Sequence, residues 1–272
     1  AVSPNQFFLL VSMSHVIGDG FTFYKIYSML SSQVEIHALE AKRFTEGGAS
    51  ILEIYREEDA FFKSMGTICN LVGKVIFGKR GKVQVGIVDS QKIKGIKEEY
   101  AASRAAENEN NSSDFISTND ILTSSYMRAS NCDVGLMAIN YRNRVDGVTD
   151  SLAGNYEGVI GYQREDYASP SLIRKSLQKY KRFHADIPLL RGFFARNRAV
   201  LSMVTNWSGF YSHILLPGEC THVAHFPVFT TLNMPYVLTV GILFMVNENQ
   251  IAVLSIEHPA RSVLDTMQEI KL

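Results

Sequence analysis

A predicted strand, a glycine-containing turn and a helix follow one another early in the chain, and this succession restricts the fold most strongly. Residues 7–13 (FFLLVSM) form an apolar run of strand length, and the glycines of the hexapeptide HVIGDG at 15–20 interrupt it. Apolar side chains then recur with the spacing of an amphipathic helix: Phe23, Tyr27, Leu30 and Val34. This order predicts that His15 stands at the end of a strand, where a rigid support exposes its side chain.

The rest of the sequence predicts an α/β protein. Apolar runs predict strands at 82–88, 136–141, 203–205 and 222–229, and a hairpin over 236–257. Capping residues and helical spacing predict helices at 50–65, from residue 90, from residue 118, at 169–184 and from residue 259. Strands mixed with helices and a late antiparallel hairpin are typical of a two-layer sandwich with a mixed sheet.

Composition excludes several classes of protein. A chain of 272 residues can bury a large core without disulfides or a structural metal, and its length suits one large domain or two smaller ones. Apolar residues make up 46% and charged residues 20%, which are ordinary globular values. Lys+Arg and Asp+Glu both number 27, so the basic excess of a nucleic-acid binder is missing and no nucleic-acid partner is expected.

The three cysteines indicate the compartment. Cys69, Cys132 and Cys220 lie far apart and are odd in number, so they form no disulfide framework. A reducing compartment such as the cytoplasm is therefore expected.

No uncharged apolar run reaches the roughly 18 residues of a spanning helix, so no transmembrane segment is expected. The stretch 61–77 comes closest, but Lys63 and Lys74 interrupt it. The favoured interpretation is a partly buried helix or loop, and an amphipathic surface segment is the alternative.

His15 is the natural candidate for a general base. The ordinary pKa of a histidine, near 6.5, lies close to neutral pH, and Asp19 follows four residues later across the glycine-containing turn. Asp19 would orient the imidazole if it faced His15, and it would hold the loop through a cation if it faced away. A structural histidine at a strand end is the alternative for the isolated motif.

Cys220, His222 and His225 form C-x-H-x-x-H, which raises the question of a metal site. On a strand Cys220 and His222 share one face while His225 points to the other. The spacing fits no zinc pattern, so no metal is expected. The sequence also lacks a phosphate-binding glycine loop, G-x-G-x-x-G and the G-x-S-x-G nucleophile motif.

Four segments in order resemble those of a known superfamily. The chain resembles the chloramphenicol acetyltransferase-like superfamily, which includes plant BAHD acyltransferases, nonribosomal-peptide condensation domains and wax-ester-type acyltransferases. The segments are HxxxDG (His15, Asp19 and Gly20), STND (117–120), MAINYRNR (137–144) with AGNYEGV (153–159), and VTNW (204–207).

The resemblance implies a two-lobed sandwich. Residues 1–110 would be the remainder of the first lobe with a crossover, and residues 111–272 would be the second lobe. Only residues 1–14 precede His15, whereas the motif lies well inside the chains of the superfamily. The first lobe is therefore expected to be incomplete here, and either a longer protein or a partner chain would complete it.

The resemblance also implies a direct acyl transfer from a thioester to a hydroxyl or amine. His15 would remove the acceptor's proton and return it to the leaving thiolate. Asp19 would face away and pair with an arginine of the RNR triplet; the motif favours Arg142, and Arg144 on the same face is the alternative. Gly20 would permit close backbone approach at the helix start.

Further roles follow from the same likeness. The Thr205 hydroxyl and the Trp207 indole N–H would stabilise the oxyanion. Asn155 would support the loop beside the site. No bound cofactor is expected; acyl-CoA is the expected co-substrate, and the late DFGWG motif is absent, which keeps a carrier-protein thioester open. The structural alternatives are a core Trp207, a loop-shaping Asn155, helix-capping Asn119 and Asp120, and solvent-facing Arg142 and Arg144.

Two other functions compete with a free acyltransferase. One is a non-catalytic structural or accessory subunit that retains the fold. The other is a condensation-like domain of a larger assembly line that uses carrier-bound donors. Neither the acyl donor nor the acceptor follows from the sequence.

Overall fold

A computed structural model describes residues 6–41, 51, 53–106, 115–218, 220–228, 235–260 and 262–267. Six strands within these ranges form one mixed sheet in the order β1-β6-β5-β4-β2-β3. They are β1 (Lys82–Ile87), β2 (Val134–Asn140), β3 (Glu157–Tyr162), β4 (Leu201–Asn206), β5 (Thr239–Asn247) and β6 (Gln250–Glu257).

Eight helices in the described part of the chain accompany the sheet. They are α1 (Gly20–Ser28), α2 (Arg56–Phe62), α3 (Met65–Phe77), α4 (Ser90–Ala106), α5 (Thr118–Ser130), α6 (Pro170–Lys179), α7 (Phe193–Arg198) and α8 (Val263–Thr266). The expected α/β fold with a mixed sheet is thereby confirmed. The predicted boundary between residues 110 and 111 lies outside the described residues.

The directions of β2, β3 and β4 bring one end of each strand to a common edge of the sheet. β4 runs parallel to both β2 and β5, whereas β2 pairs antiparallel with β3. The carboxyl ends of β2 and β4 therefore meet the amino end of β3 along one edge of the sheet. Such an edge, where loops leave parallel strands, is a common place for a ligand site.

Helix α5 shows why the STND segment starts a helix. The Ser117 hydroxyl accepts the backbone N–H of Asp120, and the Asp120 carboxylate accepts the backbone N–H of Ser117, which makes a reciprocal capping box. Asp120 is buried and also pairs with Arg174 of α6, with an N–O distance of 2.6 Å. Asp120 therefore fixes α5 to α6.

Two predicted strands are wrong. Residues 7–13 have no regular secondary structure, and 222–228 are also irregular; residue 229 lies outside the described residues. A strand needs a partner backbone, and residues 6–13 make no backbone hydrogen bond to any part of the chain that the structure describes. Within 222–228 only the His225 N–H reaches the neighbouring strand, at the carbonyl oxygen of Val246, so no ladder forms.

Other boundaries differ by a few residues. Helix α6 ends before His184 because Tyr180 adopts a left-handed conformation (φ 52°) that stops it. The last described helix begins after Ser262, whose hydroxyl accepts a backbone N–H, and not at Pro259. Strand β3 and helix α7 have no counterpart in the predictions. The hairpin over 236–257 is confirmed as β5 and β6, joined by a tight turn.

No single helix among the described residues is long and apolar enough to cross a membrane. Helices α2 and α3 meet those criteria only when they are taken as a pair, and they bend by 57° at the break between them.

Close packing of helix α5 on the sheet makes a prediction. A Cβ at Gly241 of β5 would lie 2.8 Å from the ring of Tyr126, which is fully buried and hydrogen bonded to Ser255. We expect Gly241→Ala to lower the free energy of unfolding by about 1–3 kcal/mol through overpacking. Gly95→Ala is the control, because Gly95 lies in helix α4 with open space around it. We expect this substitution to raise the free energy of unfolding, measured in urea, by up to about 1 kcal/mol. Equal stability of the two variants would contradict this account of the packing.

Candidate functional site

A buried ion pair fixes the HxxxDG turn to the sheet edge. Asp19 caps helix α1, and its carboxylate oxygen lies 2.7 Å from Nη1 of Arg142, which follows strand β2. Neither side chain is more than 2% exposed. The ion pair therefore joins two segments that are 123 residues apart in the chain.

All three guanidinium nitrogens of Arg142 donate hydrogen bonds. Its hydrogen bonds join α1, the end of β2 and the loop before β3. The acceptors are Asp19 Oδ2, Asn140 Oδ1, Thr22 Oγ1 and the carbonyl oxygens of Leu152 and Gly154. The aromatic rings of Phe21 and Tyr156 also lie near the cation, at 4.5 and 5.0 Å.

Asp19 is held in its ionised form. Burial acts to raise the pKa of its carboxyl, but hydrogen bonds from Arg142 and from the backbone N–H groups of Thr22 and Tyr156 outweigh burial, and the pKa lies below its ordinary value. Asp19 faces Arg142 and not His15. Of the two arginines left open by the sequence, Arg142 makes this ion pair and Arg144 is exposed.

His15 stands in a turn at 15–17, directly before the capped helix. The Asn155 amide donates to the His15 carbonyl oxygen at 2.8 Å, so Asn155 holds the backbone of the turn. The imidazole is 72% exposed, and its Nε2 lies 3.2 Å from Oε1 of Glu157, the first residue of β3. Glu157 lies within the AGNYEGV segment, and the sequence predicted no role for it.

Glu157 has an unusual environment for a carboxylate. Its side chain is 32% exposed, and burial raises the pKa of the carboxyl, while the nearby His15 ring opposes part of that rise. Asp19 contributes a further rise by charge repulsion, and Arg142 opposes it.

A cleft opens at the common edge of β2, β3 and β4, with an empty volume of about 310 Å³. Thr205 and Trp207 lie on one side of it, at the end of β4, and Glu157 lines it as well. His15 contacts this cleft through Glu157 and is not itself one of the lining residues. The full lining is Asp19, Gly20, Phe21, Ala138, Ile139, Asn140, Glu157, Thr205, Asn206, Trp207 and Phe210.

Gly20 allows α1 to approach the tryptophan. A Cβ at Gly20 would lie 3.4 Å from Nε1 of Trp207, so a larger residue would crowd the indole N–H. The Trp207 backbone is fixed by its N–H, which donates to the Leu243 carbonyl oxygen at 2.8 Å. Trp207 is partly buried and close to the rings of α1 residues, with its centroid 6.2 Å from that of Tyr24.

One polar contact supports the end of β4, and a second set links helix α1 to strand β5. The Asn119 side-chain oxygen accepts from the Asn206 amide at 3.0 Å, so Asn119 of STND contacts a cleft residue, whereas Asp120 caps its helix and pairs with Arg174. The Tyr24 hydroxyl lies within hydrogen-bond distance of His225 Nε2, at 3.1 Å, and His225 Nδ1 lies 3.0 Å from the Met245 carbonyl oxygen. Burial lowers the pKa of His225. The neutral ring therefore donates to Met245 and accepts from Tyr24.

The residues of the C-x-H-x-x-H motif do not come together as a metal site. His222 Nδ1 accepts the Ile214 N–H, His225 is engaged by Tyr24, and Cys220 is exposed. Among the described residues, no group of three or more His, Cys, Asp or Glu side chains could hold a metal ion.

Comparisons with known proteins bear on the fold. No protein-family model matches the sequence, and no curated protein matches it. Vinorine synthase is 14% identical, with a TM-score of 0.50, and the match covers 95% of this chain and 59% of that one. Polyketide synthase associated protein 5 from Mycobacterium tuberculosis is 11% identical (TM-score 0.48; 93% and 69% covered). The condensation domain that mediates chain release from the enacyloxin polyketide synthase is 13% identical (TM-score 0.46; 94% and 54% covered).

The chain thus has the chloramphenicol acetyltransferase-like fold, the fold of BAHD acyltransferases and condensation domains. The expected resemblance is confirmed at the level of the fold. The chain spans about 59% of the length of vinorine synthase.

Burial of the Asp19–Arg142 ion pair predicts how substitutions there change the free energy of unfolding. Asp19→Asn leaves the Arg142 cation buried without its counter-charge, so we expect a loss of about 3–5 kcal/mol in the free energy of urea unfolding. Arg144→Ala, at the exposed arginine two residues away, should change it by less than about 0.5 kcal/mol. Similar losses in both variants would show that the pair does not hold the fold.

Proposed function

We propose that the protein is an acyltransferase that moves an acyl group from a thioester to a hydroxyl or amine acceptor, with His15 as general base. The observation that carries the proposal is the His15 imidazole beside the Glu157 carboxylate, 3.2 Å apart, at a cleft lined by Thr205 and Trp207. The chloramphenicol acetyltransferase-like fold adds to it.

The geometry favours one tautomer of the base. When Glu157 is ionised, His15 donates its Nε2–H to the carboxylate, and the lone pair that accepts a proton lies on Nδ1. His15 removes the proton of the acceptor as the acceptor attacks the thioester carbonyl, and it then returns that proton to the leaving thiolate. Asp19, Arg142 and Asn155 hold the turn that carries the base.

Thr205 and Trp207 are proposed to stabilise the tetrahedral intermediate. Both lie at the end of β4 and line the cleft, and both carry a donor that can face a developing oxyanion. A single donor of this kind is worth about 3–4 kcal/mol at the transition state. Gly20 leaves room for the Trp207 indole N–H.

Transfer is proposed to be direct. None of the three cysteines lines the cleft, and Cys132 is buried. The donor is therefore an external thioester, acyl-CoA in the first place and a carrier-protein thioester as the alternative. The free thiols of Cys69, Cys132 and Cys220 support the proposal of a reducing compartment.

The first test replaces the base. We expect His15→Ala to lower kcat/KM for acyl transfer from acetyl-coenzyme A to 2-phenylethylamine by at least about 100-fold, because general-base catalysis is lost. Free coenzyme A should be quantified by chromatography, since thiol reagents would also label the exposed Cys69 and Cys220. His37→Ala is the control, because His37 is exposed and its ring, within the described part of the chain, bonds only to the nearby Glu35 carbonyl oxygen. Full turnover in a folded His15→Ala variant would overturn the proposed mechanism.

The charge of the cleft favours an amine acceptor over an alcohol. The charged residues that line it are Asp19 and Glu157, and Arg142 neutralises Asp19 from a position outside the cleft. Glu157 is therefore left as the carboxylate that a cationic acceptor would meet. The aromatic rings of Phe21, Trp207 and Phe210 also suit a cation. An ammonium ion must lose one proton before attack and a second afterwards, and His15 and Glu157 together supply two acceptors.

The acceptor class can be tested with a matched pair of substrates. We expect Glu157→Gln to reduce the preference for 2-phenylethylamine over 2-phenylethanol by about tenfold, or about 1.4 kcal/mol. In the wild type the preference should also fall as the pH drops through the raised pKa of Glu157, because the carboxyl then becomes neutral. The variant should not show that dependence. An unchanged preference in the variant would remove Glu157 from acceptor selection.

A second candidate function is a non-catalytic accessory subunit with a partner chain. Exposed apolar side chains along residues 7–10 favour it, because Phe7, Phe8, Leu9 and Leu10 are 51–86% exposed. We propose that protein, either a partner chain or a further part of the first lobe, covers this stretch. Release of coenzyme A by the lone purified chain, lost in His15→Ala, would decide for the enzyme. A stable complex with a partner chain, together with no thiol release from coenzyme A or carrier-protein donors, would decide for the subunit.

A further inference from the structure

Helix α3 carries its polar side chains inward. Gly66 packs against the α7 backbone, where a Cβ would lie 2.6 Å from the Phe193 carbonyl oxygen. The buried Asn70 donates to the carbonyl oxygens of Arg196 and Ala199 at 2.8 and 2.9 Å. One turn later, Lys74 Nζ donates to the Ala199 carbonyl oxygen at 3.2 Å. The inner face of α3 thus satisfies the carboxyl end of α7 with polar groups.

The opposite face of α3 is apolar and exposed. A surface helix of a globular protein normally turns its apolar stripe toward the core, so this arrangement is the reverse of the usual one. The exposed side chains recur at helical spacing on that face: Met65 (66% exposed), Ile68 (41%), Val72 (49%), Val75 (52%) and Ile76 (64%). Phe77 ends the helix with 84% exposure, and Phe193 and Phe194 of α7 add 45% and 71%. We name these side chains together the α3–α7 face.

The chain segments that carry the α3–α7 face are basic. Residues 60–88 and 187–218 contain no aspartate or glutamate, although the chain as a whole is neutral. Lys79, Arg80, Arg191 and Arg198 are exposed there and form no ion pair with a described acid. The nearest acid along the chain, Asp59, is already paired with Lys63 at 2.7 Å. The Asp133 carboxylate acts electrostatically on Lys74 near the carboxyl end of α3, and it pairs with Arg164 at 3.4 Å.

We infer that the α3–α7 face binds the surface of an anionic lipid bilayer. Apolar side chains that enter the headgroup region, with exposed lysine and arginine side chains beside them, are the features of a helix that lies in the membrane interface. A second copy of this chain is the poorer occupant, since it would bring two sets of these basic side chains together. Helix α3 has 13 residues and a length of about 20 Å, which is short of the roughly 30 Å needed to span the hydrocarbon.

Vesicle co-sedimentation tests the inference with the full chain. The anionic vesicles are large unilamellar vesicles of phosphatidylcholine that contain roughly 30% phosphatidylserine. We expect the wild type to bind them at least about tenfold more tightly than vesicles of phosphatidylcholine alone, and we expect high salt to abolish this difference. Ile68→Ser/Val72→Ser/Ile76→Ser should lower the binding at least about tenfold. Because these side chains are exposed, circular dichroism should show an unchanged fold.

The matched control replaces three exposed apolar residues elsewhere: Ile36→Ser/Val223→Ser/Val228→Ser, at sites 65–79% exposed. This variant should bind like the wild type. Arg191→Ala/Arg198→Ala should weaken binding to the anionic vesicles roughly fivefold per arginine and leave binding to phosphatidylcholine unchanged.

A fluorophore on the exposed Cys69 of α3, in a Cys220→Ser background, gives an independent readout. Its emission should shift to the blue on anionic vesicles if the helix enters the interface. Three results would overturn the inference: no binding to either vesicle, equal losses in the two triple variants, or a dimer that the α3 triple variant abolishes.

Discussion

The buried Asp19–Arg142 pair is the interaction on which the arrangement of the site depends. Two charges removed from water are costly to bury, and the attraction between them compensates only when the remaining donors and acceptors are satisfied. Here Arg142 reaches Asp19, Thr22 and Asn140 as well as two carbonyl oxygens of the loop before β3. The pair therefore aligns α1, β2 and β3 at one point, and the turn with His15 is set by that alignment.

The same pair explains why Glu157 dominates the charge of the cleft. Asp19 lines the cleft, but its charge is cancelled by a guanidinium that is completely buried. Glu157 has no such fixed partner, and its neighbour His15 carries a charge only when it is protonated. The electrostatics of the cleft thus follow from one compensated carboxylate and one uncompensated one, separated by the turn that the pair holds.

Local sequence predicted the elements whose signals are local. Ser117 and Asp120 cap α5, Ser169 and Pro170 precede α6, and the hairpin follows from apolar runs around a polar turn. Residues 7–13 were predicted as a strand because their composition suits one, but a strand exists only through pairing, which depends on distant chain. Glu157 was not predicted in the site for a similar reason: its proximity to His15 arises from the β2–β3 register and the loop held by Arg142. The spacing argument applied equally to Arg142 and Arg144; the motif favoured Arg142, and Arg142 is the arginine that pairs with Asp19 in the structure.

The two exposed apolar regions differ in what can cover them. Residues 6–13 make no backbone hydrogen bonds within the described chain, so any surface that displaces water from their N–H and C=O groups has to supply partners for them. Hydrocarbon offers no such partners, and each unsatisfied group would cost several kcal/mol there. Another segment of polypeptide can supply them by pairing as a strand. Helix α3 has its backbone groups satisfied internally and offers only side chains, which is the condition under which a helix can enter a lipid interface. The hydrogen-bonding state of the backbone, more than hydrophobicity, therefore separates a surface suited to protein from one suited to lipid.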